Sequence, residues 1–526
     1  MNWLPAGVVV TLVLLQLSTL PGAISGSVIK AGTALRQPLP NSRLELKGGA
    51  LTVIARTDAN GRFVISNLAP GEYRLTVTSD GFIRQEYSKK IVINREQPTA
   101  NIGFELEPAP TAAGWILNVY GEPIANLLVE ALRRSYDVRG NPGFARAATA
   151  LTDDRGQYRI FWLDPGEYFF YVSSPLPDDG NAATANIVLP TYFPGVSTAE
   201  DAQPVRMNIG REERVDFKLQ RAGLWAIKGQ TANGFTGRSM AATITLAPPA
   251  KDPSLSRYRA QSAPTGPSAG EFSLLGIPPG SYILTAKSGS GAQEFTVVER
   301  IELRPVLNPS QPYSIQMMLS PPLSISGRMF VESREATDLR QASVSLVSVD
   351  SDLPSPKSVL ARPDGQFVLN GVVRGSYVLD IKNLPGDLYL KAARFGDGDA
   401  LAKPITWESR DQTKPLQILL GSDGGHLPVA AYDGKGELHH DAHFVLAPDG
   451  VRRSQREQYR IATSGEDGLA FLRGIPPGSY KLFAWEELEP NAYLNSDYMR
   501  LFEGFGLPVN IAAGNNPRLS ARLIPR

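Results

Sequence analysis

Thr57-Asp58-Ala59-Asn60-Gly61-Arg62-Phe63, followed closely by Leu68-Ala69-Pro70-Gly71-Glu72-Tyr73-Arg74-Leu75, is the stretch on which the reading of this 526-residue chain turns. Both phrases recur in the same order four more times. The second returns as Pro165-Gly166-Glu167-Tyr168, Pro279-Gly280-Ser281-Tyr282, Arg374-Gly375-Ser376-Tyr377 and Pro477-Gly478-Ser479-Tyr480. Glycine to glycine, the steps are 95, 114, 95 and 103 residues. A step of about 100 residues is a whole domain, too long for one unit of a solenoid. The chain therefore reads as five copies of one small domain.

Each phrase has a physical meaning. In the first, Asp or Asn before Gly lets the backbone visit positive φ, as a hairpin requires; the counterparts are Asp153-Asp154-Arg155-Gly156-Gln157-Tyr158, Ser268-Ala269-Gly270-Glu271-Phe272, Pro363-Asp364-Gly365-Gln366-Phe367 and Glu466-Asp467-Gly468-Leu469-Ala470-Phe471. In the second, Pro presets φ and Gly accepts a positive one, the pattern of a type II turn. A period-two strand follows each turn, with Tyr73, Leu75 and Val77 on one face and Arg74, Thr76 and Thr78 on the other, which marks a strand with one buried side. The first copy adds strands over 24–30, 43–47, 51–57, 62–66, 83–93 and 100–107. About seven short strands with turns between them predict an antiparallel sandwich. The expected fold is all-β: a tandem array of five antiparallel β-sandwich domains of transthyretin-like or immunoglobulin-like type.

Pro-rich or polar stretches divide the chain into a signal peptide (1–23) and sandwiches over 24–107, 108–220, 221–320, 321–421 and 422–526. The links are short, so a semi-rigid rod is expected, on the order of 170 Å long. Lys plus Arg total 53 and Asp plus Glu total 52. No basic excess exists to recruit nucleic acid. The apolar run 6–17 is too short to span a bilayer and is sized for a signal-peptide core, with cleavage near Ala23 or Ser25. Export to the periplasm or the exterior is expected, with no membrane span after signal removal. There is no cysteine, so cohesion must come from burial and hydrogen bonds, which suits a bacterial envelope protein.

The paired phrases of the first copy resemble those of carboxypeptidase regulatory-like domains, which have a transthyretin-like, or prealbumin-like, sandwich. Tyr192-Phe193-Pro194-Gly195 in the second copy and Phe483-Ala484-Trp485-Glu486 in the last are similar to repeats of large exported bacterial proteins. Such domains accompany a peptidase, precede an outer-membrane barrel or stand in arrays, and related sandwiches are grouped with starch-binding-like folds. The resemblance thus implies a fold, and carries carbohydrate binding as a hypothesis. No zinc-peptidase domain is visible.

The residues themselves offer three candidate chemistries. All four histidines, His426, His439, His440 and His443, lie in the last copy; if the chain there were extended, His439, Asp441 and His443 would share a face and offer a metal mixed nitrogen and oxygen ligands. The alternative is a polar connection between strands. The Asp-rich turns at Asp58 and Asp153 hint at calcium, but hairpin chemistry explains them. Aromatic residues crowd the segment 485–505 (Trp485, Tyr493, Tyr498, Phe502, Phe505), and an insertion at 174–195 carries Tyr192 and Phe193; such rings in loops suit sugars or a protein partner, or else cap a thin sandwich. First-strand Lys30 and Lys228 have no last-strand Asn to match both, so no isopeptide bond is expected. No catalytic or cofactor motif is legible. The expected function is a non-enzymatic exported scaffold that binds extracellular carbohydrate or an envelope protein; the alternative is an accessory subunit of a hydrolase, or a metal-dependent enzyme using the His-rich segment.

Overall fold

The computed structural model describes residues 22–525 except 33–35, 49–50, 88, 90, 95, 174–185, 198, 250–259, 263–269, 290–293, 308, 322, 333–337, 351–352, 354 and 408–413. The proposed signal peptide thus lies outside the described residues, apart from its last two. Five apolar cores follow one another along the chain, each drawn from a single stretch of sequence. They define five β-sandwiches, numbered 1 to 5 from the N-terminus.

Sandwich 1 shows the common plan. One sheet orders Arg62–Leu68, Gly22–Lys30 and Thr99–Leu106; the other orders Leu51–Arg56, Arg43–Gly48 and Gly71–Thr78, with short edge strands beyond. Alternate residues of both sheets, such as Ile24, Val28, Leu44, Leu75, Val77 and Phe104, meet in the core. Not every pairing is antiparallel: the first and last strands run parallel, from Ala23 opposite Thr99 to Lys30 opposite Leu106. The same parallel closure recurs in the other four.

The repeated phrases now have their physical cause. Gly61, Gly156, Gly270, Gly365 and Gly468 all have positive φ, between 57° and 80°, as the hairpin reading requires. The second phrase departs from a type II turn, whose glycine sits near φ 80°: Gly166, Gly280 and Gly478 have φ of 135°, 148° and 141°, and the glycine opens the next strand. What the phrase secures is the tyrosine. The hydroxyls of Tyr73, Tyr377 and Tyr480 donate to the carbonyls of Ala69, Val373 and Pro476, four residues back, at 2.7, 2.9 and 2.7 Å. Each ring fills the core while its polar end satisfies the turn, where a buried unpaired hydroxyl would be costly.

A third recurrent device sits in the first strand. Gly26, Gly114, Gly229 and Gly327 stand opposite Phe63, Tyr158, Phe272 and Phe367. A methyl group on Gly26 would lie 1.8 Å from the Ile102 carbonyl oxygen and 2.9 Å from the Phe63 ring. Glycine is required because the last strand and an aromatic ring both press on this point. Sandwich 5 exchanges the pair: Val429 stands opposite Ala470. Phe471, one residue past the position that the other aromatics hold, is 58% exposed. Sandwich 5 also joins its two sheets, since Leu519–Ile524 pairs with both Gly425–Tyr432 and Gly478–Trp485.

The array is not an open rod. Sandwich 5 returns to the first two: Arg74 pairs with Asp441 at 2.6 Å, and the tip of the sandwich 2 hairpin rests on the 491–505 segment. There Asn495 Nδ2 donates to the Gly140 carbonyl at 2.9 Å, Asn491 Nδ2 to the Tyr136 carbonyl at 3.4 Å, and Arg456 to the Val138 carbonyl. Sandwich 4 is tied in by Arg139 to the Val349 carbonyl and by Arg300 to Asp350. Short links allow a rod, but a long hairpin in sandwich 2 and an extra helical segment in sandwich 5 supply matching surfaces that fold it back.

Candidate functional site

The aromatic segment of sandwich 5 begins at Trp485, the end of a core strand, and continues through helix α1 (Ser496–Phe502), the one α-helix among the described residues. Asn495 caps this helix, its Oδ1 accepting from the Tyr498 N–H at 2.9 Å, as an N-cap side chain does. The helix lays Met499 and its aromatics over the outer face of the sheet and builds a second, smaller core with Val445, Phe483, Trp485 and Ile524. Trp485 is 1% exposed, stacked on Phe483 at 5.5 Å and met edge-on by Phe502 at 5.7 Å. Tyr498 contacts Tyr136 of sandwich 2 at 5.7 Å; burial, reinforced by Tyr136 and Glu489, pushes its hydroxyl up to about 12. Tyr493 lies against Tyr459 and borders a hollow of about 670 Å³ that also holds Arg453, Arg456, Arg500 and Glu503. Glu503 there accepts from Arg453 at 2.9 Å and from Lys481.

Tyr192 is also fully covered, in a cluster with Leu132, Phe144, Phe169 and Tyr171 on the outer face of sandwich 2. Phe193 packs edge-on against Phe217 at 6.0 Å. Residues 174–185 of the same insertion lie outside the described residues.

The histidine run is not extended. Asp441 has a φ of 59°, which breaks the alternation that would put His439, Asp441 and His443 on one face. Asp441 turns to Arg74, His443 Nδ1 faces the Thr463 hydroxyl at 3.2 Å, and His426 pairs with Asp387 of sandwich 4 at 3.0 Å. Among the described residues no three His, Cys, Asp or Glu side chains gather to hold a metal. The Asp turns are occupied by their own backbone: Asp58 Oδ1 accepts from the Asn60 and Arg62 N–H groups, and Asp153 Oδ1 from those of Arg155 and Gln157.

The seam between sandwiches 4 and 5 holds a titratable group that sequence reading missed. Glu457 lines a hollow of about 220 Å³ with Leu388, Arg460 and Gly474. Burial, with Asp380 adding to it, raises the Glu457 carboxyl above its ordinary value of 4.5. The folded state therefore holds this proton more tightly than the unfolded one. Its contribution is fully present below about pH 4.5 and is lost as pH rises through the folded-state value. Glu457→Gln, neutral throughout, is expected to flatten the fall of the urea midpoint between pH 4 and 8. An unchanged pH profile would show that Glu457 is not the group responsible.

A second unanticipated feature is an exposed pair in sandwich 2, Phe161 and Trp162, at 51% and 60% exposure. Aligning the five copies at the residue three before the Pro-Gly turn's leading position would have marked Trp162, since the other copies have Asn or Gly there.

These observations define the class, a closed array of five β-sandwiches with embedded aromatic clusters and polar seams. Residues 23–107, the span of sandwich 1, match the family model of the carboxypeptidase regulatory-like domain. The chain is similar to BOS complex subunit NOMO1 of Mus musculus, 28% identical over 131 residues, which make up 25% of this chain and 10% of that protein. It thus spans about a tenth of the length of the curated relatives it matches. Among solved structures, the Bacillus anthracis TIE protein aligns with 57% of this chain and 51% of its own at 12% identity and a TM-score of 0.18. The minor pilin GBS52 of Streptococcus agalactiae aligns with 38% and 95% at 12% identity and a TM-score of 0.23. Among the described residues no helix is long and apolar enough to cross a membrane.

Proposed function

We propose that the chain is an exported, non-enzymatic scaffold of the bacterial envelope, which displays binding surfaces for an extracellular carbohydrate or an envelope protein. The observation that carries the reading is the docking of sandwich 5 onto sandwiches 1 and 2. It turns five small domains into one fixed platform through contacts such as Asn495 to Gly140 and Arg74 to Asp441. Fixed spacing of loops from different sandwiches is what a recognition surface needs, because preorganisation spares the ordering cost of binding. The regulatory-like character of sandwich 1 fits the same role. Export through the 6–17 segment is part of the proposal. Ile24 is fully buried in the core of sandwich 1, so a cleavage that leaves Ile24 in place preserves the first strand, whereas one after Ser25 would remove a core residue.

The test is native electrophoresis of the full chain through gels containing polysaccharides, run beside a pull-down from a bacterial envelope fraction. Retardation in at least one gel, or capture of a defined envelope protein, is the expected result. A folded chain that does neither would end the proposal.

A further inference from the structure

Two positions after the last core-facing residue of the hairpin strand, the backbone is left-handed in every sandwich. Asn67, Trp162, Gly276, Gly371 and Gly474 hold it, with φ of 63°, 60°, 73°, 76° and 61°. In sandwiches 1, 3, 4 and 5 the pairing with the first strand slips at this point. Glycine takes such a conformation at no steric cost and asparagine at little; a large aromatic residue there is an outlier. Burial does not compensate, because the Trp162 indole is 60% exposed. Folding alone favours Asn or Gly here, as the four sister domains show. A strained residue that keeps a large apolar ring in water points to a task outside the chain.

What lies beside it indicates the task. Trp162 borders a groove of about 650 Å³ whose other wall is sandwich 1, with Asn41, Arg43, Arg56, Ser79 and Asp80. That volume is within the range of small-ligand sites, about 300–1,000 Å³. The indole nitrogen passes over Gly81, where a methyl group would come within 3.4 Å. Arg56 Nη1 donates to the Asn41 backbone and side-chain oxygens at 3.2 and 3.0 Å, which fixes the guanidinium at the groove. Arg43 is oriented by Glu45 at 3.2 Å. Asp80 is exposed and makes no hydrogen bond or ion pair among the described residues. A flat apolar ring beside guanidinium donors, a free carboxylate and an amide is the chemistry that holds a sugar: the ring covers the C–H face of a pyranose and the polar groups divide its hydroxyls. A protein partner would be better served by a broad apolar centre with a polar rim, and this groove has one ring among polar walls.

We propose that the Trp162 groove between sandwiches 1 and 2 is a saccharide-binding site. The inference rests on the scaffold reading and names one of its ligands and the place where it sits. The experiment uses the full chain in native gels containing starch, dextran, xylan, polygalacturonate or alginate, with Trp162→Asn and Asp80→Ala beside the wild type. Retardation of the wild type by at least one polymer is expected. Trp162→Asn should weaken it at least tenfold while leaving the melting temperature unchanged or raised, since Asn67 holds the same backbone in sandwich 1. Asp80→Ala, on the other wall, should weaken it at least threefold. Retardation that survives both substitutions would place the ligand elsewhere and overturn this site while leaving the scaffold reading intact. A lower melting temperature in Trp162→Asn with undiminished retardation would make the ring a packing residue and overturn the site equally. Wild-type chain that no polymer retards would overturn the site, and with an envelope protein captured would leave only the protein half of the scaffold reading.

Discussion

Gly327→Val is expected to destabilise sandwich 4 by about 3 kcal/mol, the range of a badly overpacked core. A Cβ at this position would lie 2.3 Å from the Phe367 ring and 2.5 Å from the Leu416 carbonyl oxygen. Neither can withdraw easily: Phe367 is 3% exposed, and Leu416 starts the last strand, paired directly with Gly327. Phe367→Ala alone is expected to cost about 3–5 kcal/mol for the lost ring and the cavity it leaves. The double variant should cost less than the sum, by about 2 kcal/mol, because the two changes occupy the same space. Sandwich 5 already carries this exchange as Val429 opposite Ala470. Hydrogen exchange of the amides in Leu323–Val331 and Leu416–Gly421 reads the local stability without requiring the other sandwiches to unfold. Strict additivity would mean that the glycine and the ring are independent, and would remove the explanation offered for both.

The second large effect is expected at the fold-back. Gly140 has a φ of 76°, and a Cβ there would lie 2.6 Å from the Leu494 carbonyl carbon and 2.9 Å from the Asn495 nitrogen. Gly140→Val therefore meets two penalties at once, a left-handed backbone for a branched residue and a collision with the chain it rests on. The core of sandwich 2 lies away from this tip, so the sandwich should remain folded while sandwich 5 separates from it. Small-angle scattering should show a longer maximum dimension, and the α1 amides should exchange faster. Asn495→Ala is the milder companion: it removes the helix cap, worth about 1 kcal/mol, together with the bond to Gly140. A scattering curve unchanged in both variants would mean that this contact does not hold the array closed.

Much of the fold could be read from repetition. Two turn phrases disclosed five domains, the hairpin glycines and the strand that each tyrosine opens, because those residues answer to local backbone demands that short sequence patterns express. Other features answer to demands that no local pattern carries. The first-strand glycines yield to a carbonyl 76 to 101 residues further along, so their meaning appears only when the last strand is in place. The shift from Phe471 to Ala470 in the last copy is a difference of one residue, enough in a strand to reverse the face. Helix α1 spans 7 residues, too few for a hydrophobic period to register. Its aromatics looked like a display of rings because composition does not tell a loop from a second packed layer. For the same reason Tyr192 and Trp485 could be found by type, and their burial could not. Asp441 is the opposite case, where a single left-handed residue undid a reading that assumed extended chain. Trp162 was legible in principle, since its four counterparts are all Asn or Gly, but only to an alignment that asks which positions force the backbone.

The parallel closure of each sandwich has a mechanical consequence. Entry through the first strand and exit through the last lie at opposite ends of one pair, in sandwich 1 along eight matched residues from Ala23 and Thr99 to Lys30 and Leu106. Tension along the chain therefore tries to slide these strands past each other, and their hydrogen bonds share the load instead of opening one after another. Resistance to pulling is a matter of the unfolding rate, and this geometry slows it without a disulfide or any covalent clamp. An array built of such units would resist a pull on its two ends, and the fold-back contacts would release long before any sandwich came apart.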